Sequence, residues 1–260
     1  MRGRIDVAHL GGVPHLAAMW HLIEFDVVSL GQNIRMEKPL LTVPTLIQSA
    51  QSFCASQSVL PNDLLYGVTD GKAIGTLVEH AFQAYLAERF TLFSGNSAKG
   101  IDLPSEHINT DIKVTSMVQP QSSCPFRDAR QKIFGLGYNL LVFVYDKKDD
   151  PASKTALLRF VSCSFIEKER TGDFITTRML RQMLENEANE EDVIAYLSDR
   201  NIPADEVGLT QLARQILQTP PEQGYLTISN ALQWRLQYGR IVNLDEPVQG
   251  ITRIVHQPKK

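Results

Sequence analysis

The chain reads as an α/β protein in which a long helix, three short strands, a second helix and a further strand follow one another, flanked by helical additions. Three observations predict this. Ile74, Leu77, Val78, Ala81, Phe82, Tyr85, Leu86 and Phe90 recur at spacings of three and four, the period of one helix face. Residues 138–145 are almost uniformly apolar, as in a strand covered on both faces. Residues 108–116 carry Thr, Ile and Val, which favour extended backbone.

The elements follow in order. Segments 13–30 and 45–57 are helix candidates, separated by Pro39 and Pro44. Asp70 precedes the long helix in a Thr-Asp-Gly turn, where capping explains it. Residues 91–93 and the stretch around Ile101 are short strand candidates ahead of 108–116. A polar loop with Gln119, Gln121, Ser122 and Ser123 leads to a helix from Pro125 to about Leu136, ended by Gly135 and Gly137. Asp146 closes the apolar strand and opens a solvated Asp-Lys-Lys-Asp-Asp loop, after which 155–165 is again a strand. Helices are expected after Asp173 to 184, at 190–197 and at 205–217, while 223–242 is ambiguous. The expected layout is a single domain, 1–260: a helical preface (1–68), a core (69–168) and a mainly helical region (169–260).

With 43% hydrophobic residues the chain can bury a substantial core. Its net charge is −3 and it has no basic tail, which counts only mildly against a nucleic-acid partner, since positive charge can be confined to a cleft. Cys54, Cys124 and Cys163 form no CxxC pair, and they read as reduced thiols of a soluble cytoplasmic protein. The histidines do not group; His15 and His21, six apart, do not share a helix face. Arg2 and Arg4 precede an apolar segment, but His15, His21, Glu24 and Asp26 interrupt it, so neither a signal peptide nor a membrane partner is expected.

Chemistry concentrates at Asp102 and at Asp111-Ile112-Lys113. Asp111 and Lys113 are two apart in a β-branched run and so share a strand face, and a short bend brings Asp102 beside them. Paired carboxylates suit a hard divalent cation, and an ammonium beside them orients water and offsets phosphate charge. The triplet alone is weak, because acid-x-Lys is expected about once by chance in such a composition. It occurs at Asp70, Asp111 and Asp146, but only Asp111 combines a strand with an upstream aspartate. A metal site and a surface salt bridge both remain open on these residues.

The whole succession, with acids and lysine on the second and third strands, resembles the PD-(D/E)XK nuclease superfamily, most closely the type II restriction endonucleases. The resemblance covers roughly 70–146. It implies a restriction-endonuclease-like αβββαβ core with a mixed central sheet, plus helical N- and C-terminal additions. It further implies Asp102, Asp111, Lys113 and the helical acid Glu79 as catalytic residues, with Asp102, Asp111 and the Ile112 carbonyl as metal ligands. Ile101 stands where the family name has proline. The implied activity is Mg²⁺-dependent cleavage of double-stranded DNA at a specific site, with Mn²⁺ able to substitute, by a homodimer. Thr115, Gln119, Gln121, Arg127, Arg130 and Lys132 are candidate DNA contacts. So are Gln233 and Arg235, in a segment, 230–240, whose simplest reading is an amphipathic helix packed on the core. The rival readings are a repair or junction-resolving nuclease of the same fold, and a non-catalytic DNA-binding protein.

Overall fold

Local chemistry sets the first two helices. In the computed structural model, which describes residues 38–92, 100–124, 128–229 and 234–256, helix α1 (Val43–Gln57) opens where Thr42 and Thr45 each accept the other's backbone N–H. Pro44 sits in its first turn, where no N–H is needed. Helix α2 (Gly71–Arg89) opens at Asp70, whose carboxylate accepts from the Lys72 N–H at 2.9 Å. Leu46, Ala50 and Phe53 of α1 and Ile74, Val78, Phe82 and Leu86 of α2 are buried on one core. At its centre Phe53, Phe82, Phe143 and Phe160 pack with ring centroids 5.0–6.0 Å apart, mostly tilted or edge to face. The expected helix 13–30, Phe93, the helix start at Pro125, and the candidates Arg127 and Gln233 lie outside the described residues.

That core covers one face of a mixed five-stranded sheet. Its order is β1 (Pro61–Asn62), β5 (Thr155–Ile166), β4 (Asn139–Asp150), β2 (Thr110–Ser116), with β8 (Ile251–His256) also paired to β5. Strand β2 runs parallel to β4 and the remaining pairs are antiparallel. Strand β4 is apolar on both sides because it separates two cores. Leu141, Phe143 and Tyr145 face the helices, while Leu140, Val142 and Val144 join Leu236, Tyr238 and Ile241 on the other side. That second layer is a three-stranded antiparallel sheet, β3 (Gln121–Cys124), β7 (Trp234–Gln237) and β6 (Thr227–Ile228), followed by helix α7 (Gly239–Val242). Helices α4 (Phe174–Glu185), α5 (Glu190–Asp199) and α6 (Glu206–Gln218) build a third core with Ala129 and Ile133. Asp173, Asn189 and Asp205 cap them through their side chains.

The α/β class and mixed sheet are as the sequence predicts, with several corrections to individual elements. The two strands expected before β2 are single bridges among the described residues, Thr91 to Leu40 and Leu103 to Thr110. Residues 121–124 are a strand, not a loop, because β7 supplies their backbone partners. Strand β4 continues through Asp146-Lys147-Lys148-Asp149-Asp150, since β5 pairs with it to Thr155 and the charged side chains stay at the surface. Trp234–Gln237 is strand where an amphipathic helix was expected. Helix α3 spans only Arg130–Phe134. It is stopped at Gly135 (φ 87°), where a Cβ would lie 2.2 Å from the Lys168 carbonyl oxygen.

Candidate active site

Strand β2 ends the path of the central sheet, and this edge position organises the site. A parallel neighbour takes the N–H groups on one side only, so Ile112 presents its N–H outward. The Asp102 carboxylate accepts it at 2.7 Å. Two backbone bonds between Leu103 and Thr110, at 2.9 and 3.0 Å, clamp the bend that places Asp102 there. Asn109, with φ 37°, makes the left-handed step into β2 and donates its side-chain amide to the Gly137 carbonyl at 2.9 Å. The bend is thereby tied to the start of β4, where Asn139 in turn donates to the Ile108 carbonyl.

Asp111 is 4% exposed and its carboxylate accepts from Lys113 Nζ at 2.7 Å. Asp102 and Asp111 meet at the same strand edge and bear on each other's protonation, and Glu79 on α2 bears on Asp102. Burial, first of all, pushes Asp111 up to about 6; the Lys113 charge opposes this and the bond with Asp102 reinforces it. Asp102 is also raised, by burial and by Glu79, against the bonds from Asp111 and the Ile112 N–H. For Lys113 burial works against the charge, but the two aspartates outweigh it and hold the ammonium above its ordinary value. Gln83, one turn beyond Glu79, reaches the other Asp102 oxygen at 3.5 Å. Sequence reasoning missed Gln83; its only signal is the i, i+4 spacing from Glu79 on a helix face.

The structure therefore brings together Asp102, Asp111, Ile112, Lys113 and Glu79. Among the described residues no three acidic, histidine or cysteine side chains close round one point as a finished cage. The donor set nevertheless fits a hard cation: two carboxylates converge on one partly buried strand edge, and burial raises both above the usual carboxylate range. The two small apolar concavities beside α2 include none of these residues.

The expected DNA contacts divide. Thr115 is buried, and its hydroxyl is committed to Gln119 and Gln121: it lies 3.0–3.2 Å from their carbonyls and accepts the Gln121 N–H at 3.0 Å. It clamps the β2–β3 turn, so its hydroxyl is not presented to a phosphate. Lys132 on α3 is 1% exposed and lies by Asp173 and Arg200, which removes it from the surface. Gln119, Arg130 and Arg235 are exposed and Gln121 is half-buried.

Comparison with known proteins supplies the class. The family model described as type II restriction enzyme NspV matches residues 40–253. The type II restriction enzyme NspV of Nostoc sp. (strain ATCC 29411 / PCC 7524) is 53% identical over 215 residues, covering 83% of this chain and 97% of that protein. The crystal structure of the tetrameric restriction endonuclease SfiI bound to cognate DNA aligns over 76% of both chains, at 12% identity and a TM-score of 0.37. The molecule is a site-specific restriction endonuclease that acts on DNA. More narrowly, it belongs to the NspV family of type II restriction enzymes. Enzymes of this class generally need a divalent metal. Among the described residues no helix is long and apolar enough to cross a membrane.

Proposed function

We propose that the edge of β2 is the cutting site and that it works with Mg²⁺, Mn²⁺ being able to substitute. The observation that carries this is the convergence of Asp102 and Asp111 on one strand edge, Asp102 bonded to the Ile112 N–H at 2.7 Å and Asp111 to Lys113 Nζ at 2.7 Å. Asp102, Asp111 and the Ile112 carbonyl would hold the ion, with Glu79 near enough to assist. When bound, it would supply charge toward a phosphate oxygen and make a water more acidic.

The chain's own groups do the rest. The Ile112 N–H and Gln83 fix the two oxygens of Asp102, so this carboxylate is oriented before substrate arrives. Lys113 holds its proton, which leaves two donors at the strand edge beyond the one given to Asp111. They orient the attacking water and stabilise the charge that builds on the phosphate oxygens. Water adds to phosphorus in line, the bond to the 3′ oxygen breaks, and 5′-phosphate and 3′-hydroxyl ends result.

In this reading 69–168 supplies catalysis and 169–260 recognition or dimer contacts, with α1 packed on the apolar face of the sheet. One such site cuts one strand, so a double-strand break calls for two copies about a two-fold axis, a homodimer. We place the enzyme in the cytoplasm, a setting in which the free thiols of Cys54, Cys124 and Cys163 stay reduced.

Digestion of a mapped phage DNA with Mg²⁺ is the direct test. Asp111→Ala and Lys113→Ala should each lower the cleavage rate by about a hundredfold or more. Asp70→Ala and Asp146→Ala should leave it unchanged, because Asp70 caps α2 and Asp146 pairs with Arg159 at the surface. A folded Lys113→Ala variant cutting at the wild-type rate would move the active site elsewhere.

A further inference from the structure

The small β3-β7-β6 sheet turns one face to the core and the other outward. Inward go Cys124, Leu236 and Ile228, all buried, with Ser122 bonded to the Tyr238 hydroxyl at 2.5 Å. Outward, by the period of two along each strand, go Gln121 and Ser123, Arg235 and Gln237, and Thr227, with Ser229 just past the end of β6. The register sets these in two rows. Gln121, Gln237 and Thr227 lie across the sheet in one. Ser123 and Arg235 form the other, and Ser229 is bonded to the Arg235 backbone at their end. Each of the six can donate or accept a hydrogen bond, and none is acidic. Among the described residues no carboxylate pairs with the Arg235 guanidinium. A merely solvated sheet face would ordinarily mix both signs of charge.

We propose that this outward face reads base edges in the DNA major groove, with Arg235 and Gln237 of the central strand as the discriminating residues. The proposal rests on β2 being the cutting strand and names the surface that chooses where it cuts.

The dimensions fit. Strands lie about 4.8 Å apart, so the three columns span about 10 Å of backbone, against a groove about 12 Å wide. Arg235 and Gln237 are two residues apart, about 7 Å along the strand, or two base-pair steps of about 3.4 Å. An Arg fork matches the O6 and N7 of guanine, and a Gln amide matches the N6 and N7 of adenine. The surface is also coupled to the chemistry. Thr115 of β2 clamps Gln121, the first residue of β3. A base read on β7 is thus held at a fixed offset from the Asp111 carboxylate on β2.

The test begins by sequencing the ends of wild-type phage-DNA fragments, which gives the site. Duplexes carrying that site, and every single base-pair change of it, are then cut by the wild type, Arg235→Ala, Gln237→Ala and Arg235→Lys. Both side chains are exposed and the ladder uses only backbone groups, so far-UV circular dichroism should be unchanged. Each alanine variant should lose 10- to 100-fold of its discrimination at one base-pair position, and the two positions should differ. Ca²⁺-supported binding to DNA lacking the site should stay within twofold of wild type. Arg235→Lys should relax the same position as Arg235→Ala, because lysine keeps the charge but not the fork. Unchanged ratios in both alanine variants, or equal weakening on every duplex, would overturn the proposal. So would wild-type discrimination in Arg235→Lys, which would make Arg235 a phosphate contact only. If Lys113→Ala cut normally while the discrimination ratios still moved, the cutting-site reading would fall and the reading face would stand.

Discussion

Asp111→Asn should make the metal-free enzyme more stable as pH rises, relative to the wild type. Burial raises the Asp111 carboxyl from 3.8 to about 6 in the folded chain. That is about two powers of ten in proton affinity, each about 1.4 kcal/mol, so ionising it at neutral pH costs the folded state up to about 3 kcal/mol. The sign follows from the direction. A raised carboxyl contributes stability that is complete below about 3.8 and is lost as pH rises through about 6. Asparagine has no such loss. The stability difference, variant minus wild type, should therefore grow by up to about 3 kcal/mol between pH 4 and 7.5 and level off above that. Removing the partner of Lys113 adds an offset, but one independent of pH in this window, because Lys113 stays charged throughout. The change belongs to the Asp102–Asp111 pair, whose protons are coupled. Urea unfolding followed by far-UV circular dichroism in EDTA, from pH 4.5 to 8, measures it. Added Mg²⁺ should stabilise the wild type and not the variant. A difference curve flat to within about 0.5 kcal/mol, or one that falls with pH, would show that the carboxylates are not buried as described.

Two further outcomes are expected. Ca²⁺ should support specific DNA binding with little cleavage, since it fits oxygen ligands with looser geometry, and binding in gel shifts should weaken steeply with salt; salt-independent binding would argue against phosphate contacts. Light scattering should give a homodimer, and a monomer both free and on DNA would remove the two-fold arrangement.

What the chain determines by itself is whatever short-range chemistry dictates. The Thr42–Thr45 box, the caps at Asp70, Asp173 and Asp205, and the apolar run of β4 each act within a few residues, so the helices and that strand are legible in order. The period of two likewise places Asp111 and Lys113 on one face before any partner is known, and the bend brings Asp102 to them as expected. Tertiary structure decided the rest. Strand β3 (Gln-Ser-Ser-Cys) carries little hydrophobic signal, β7 is only four residues long, and their hydrogen bonds join Gln121 to Gln237 across more than a hundred residues. That pairing makes strand of Gln121–Cys124, and with β6 on its other side it makes strand of Trp234–Gln237. The charged end of β4 is extended because β5 returns beside it, and the buried Lys132 meets the opposite charge of Asp173, which arrives from a distant segment. Thr115 shows the same division within one residue. Its face on β2 follows from alternation, but whether its hydroxyl meets a phosphate or the Gln121 backbone depends on where the next strand turns back. Local propensity acts through the backbone of neighbouring residues, whereas a polar strand or a buried charge is stable only once its distant partner is in place.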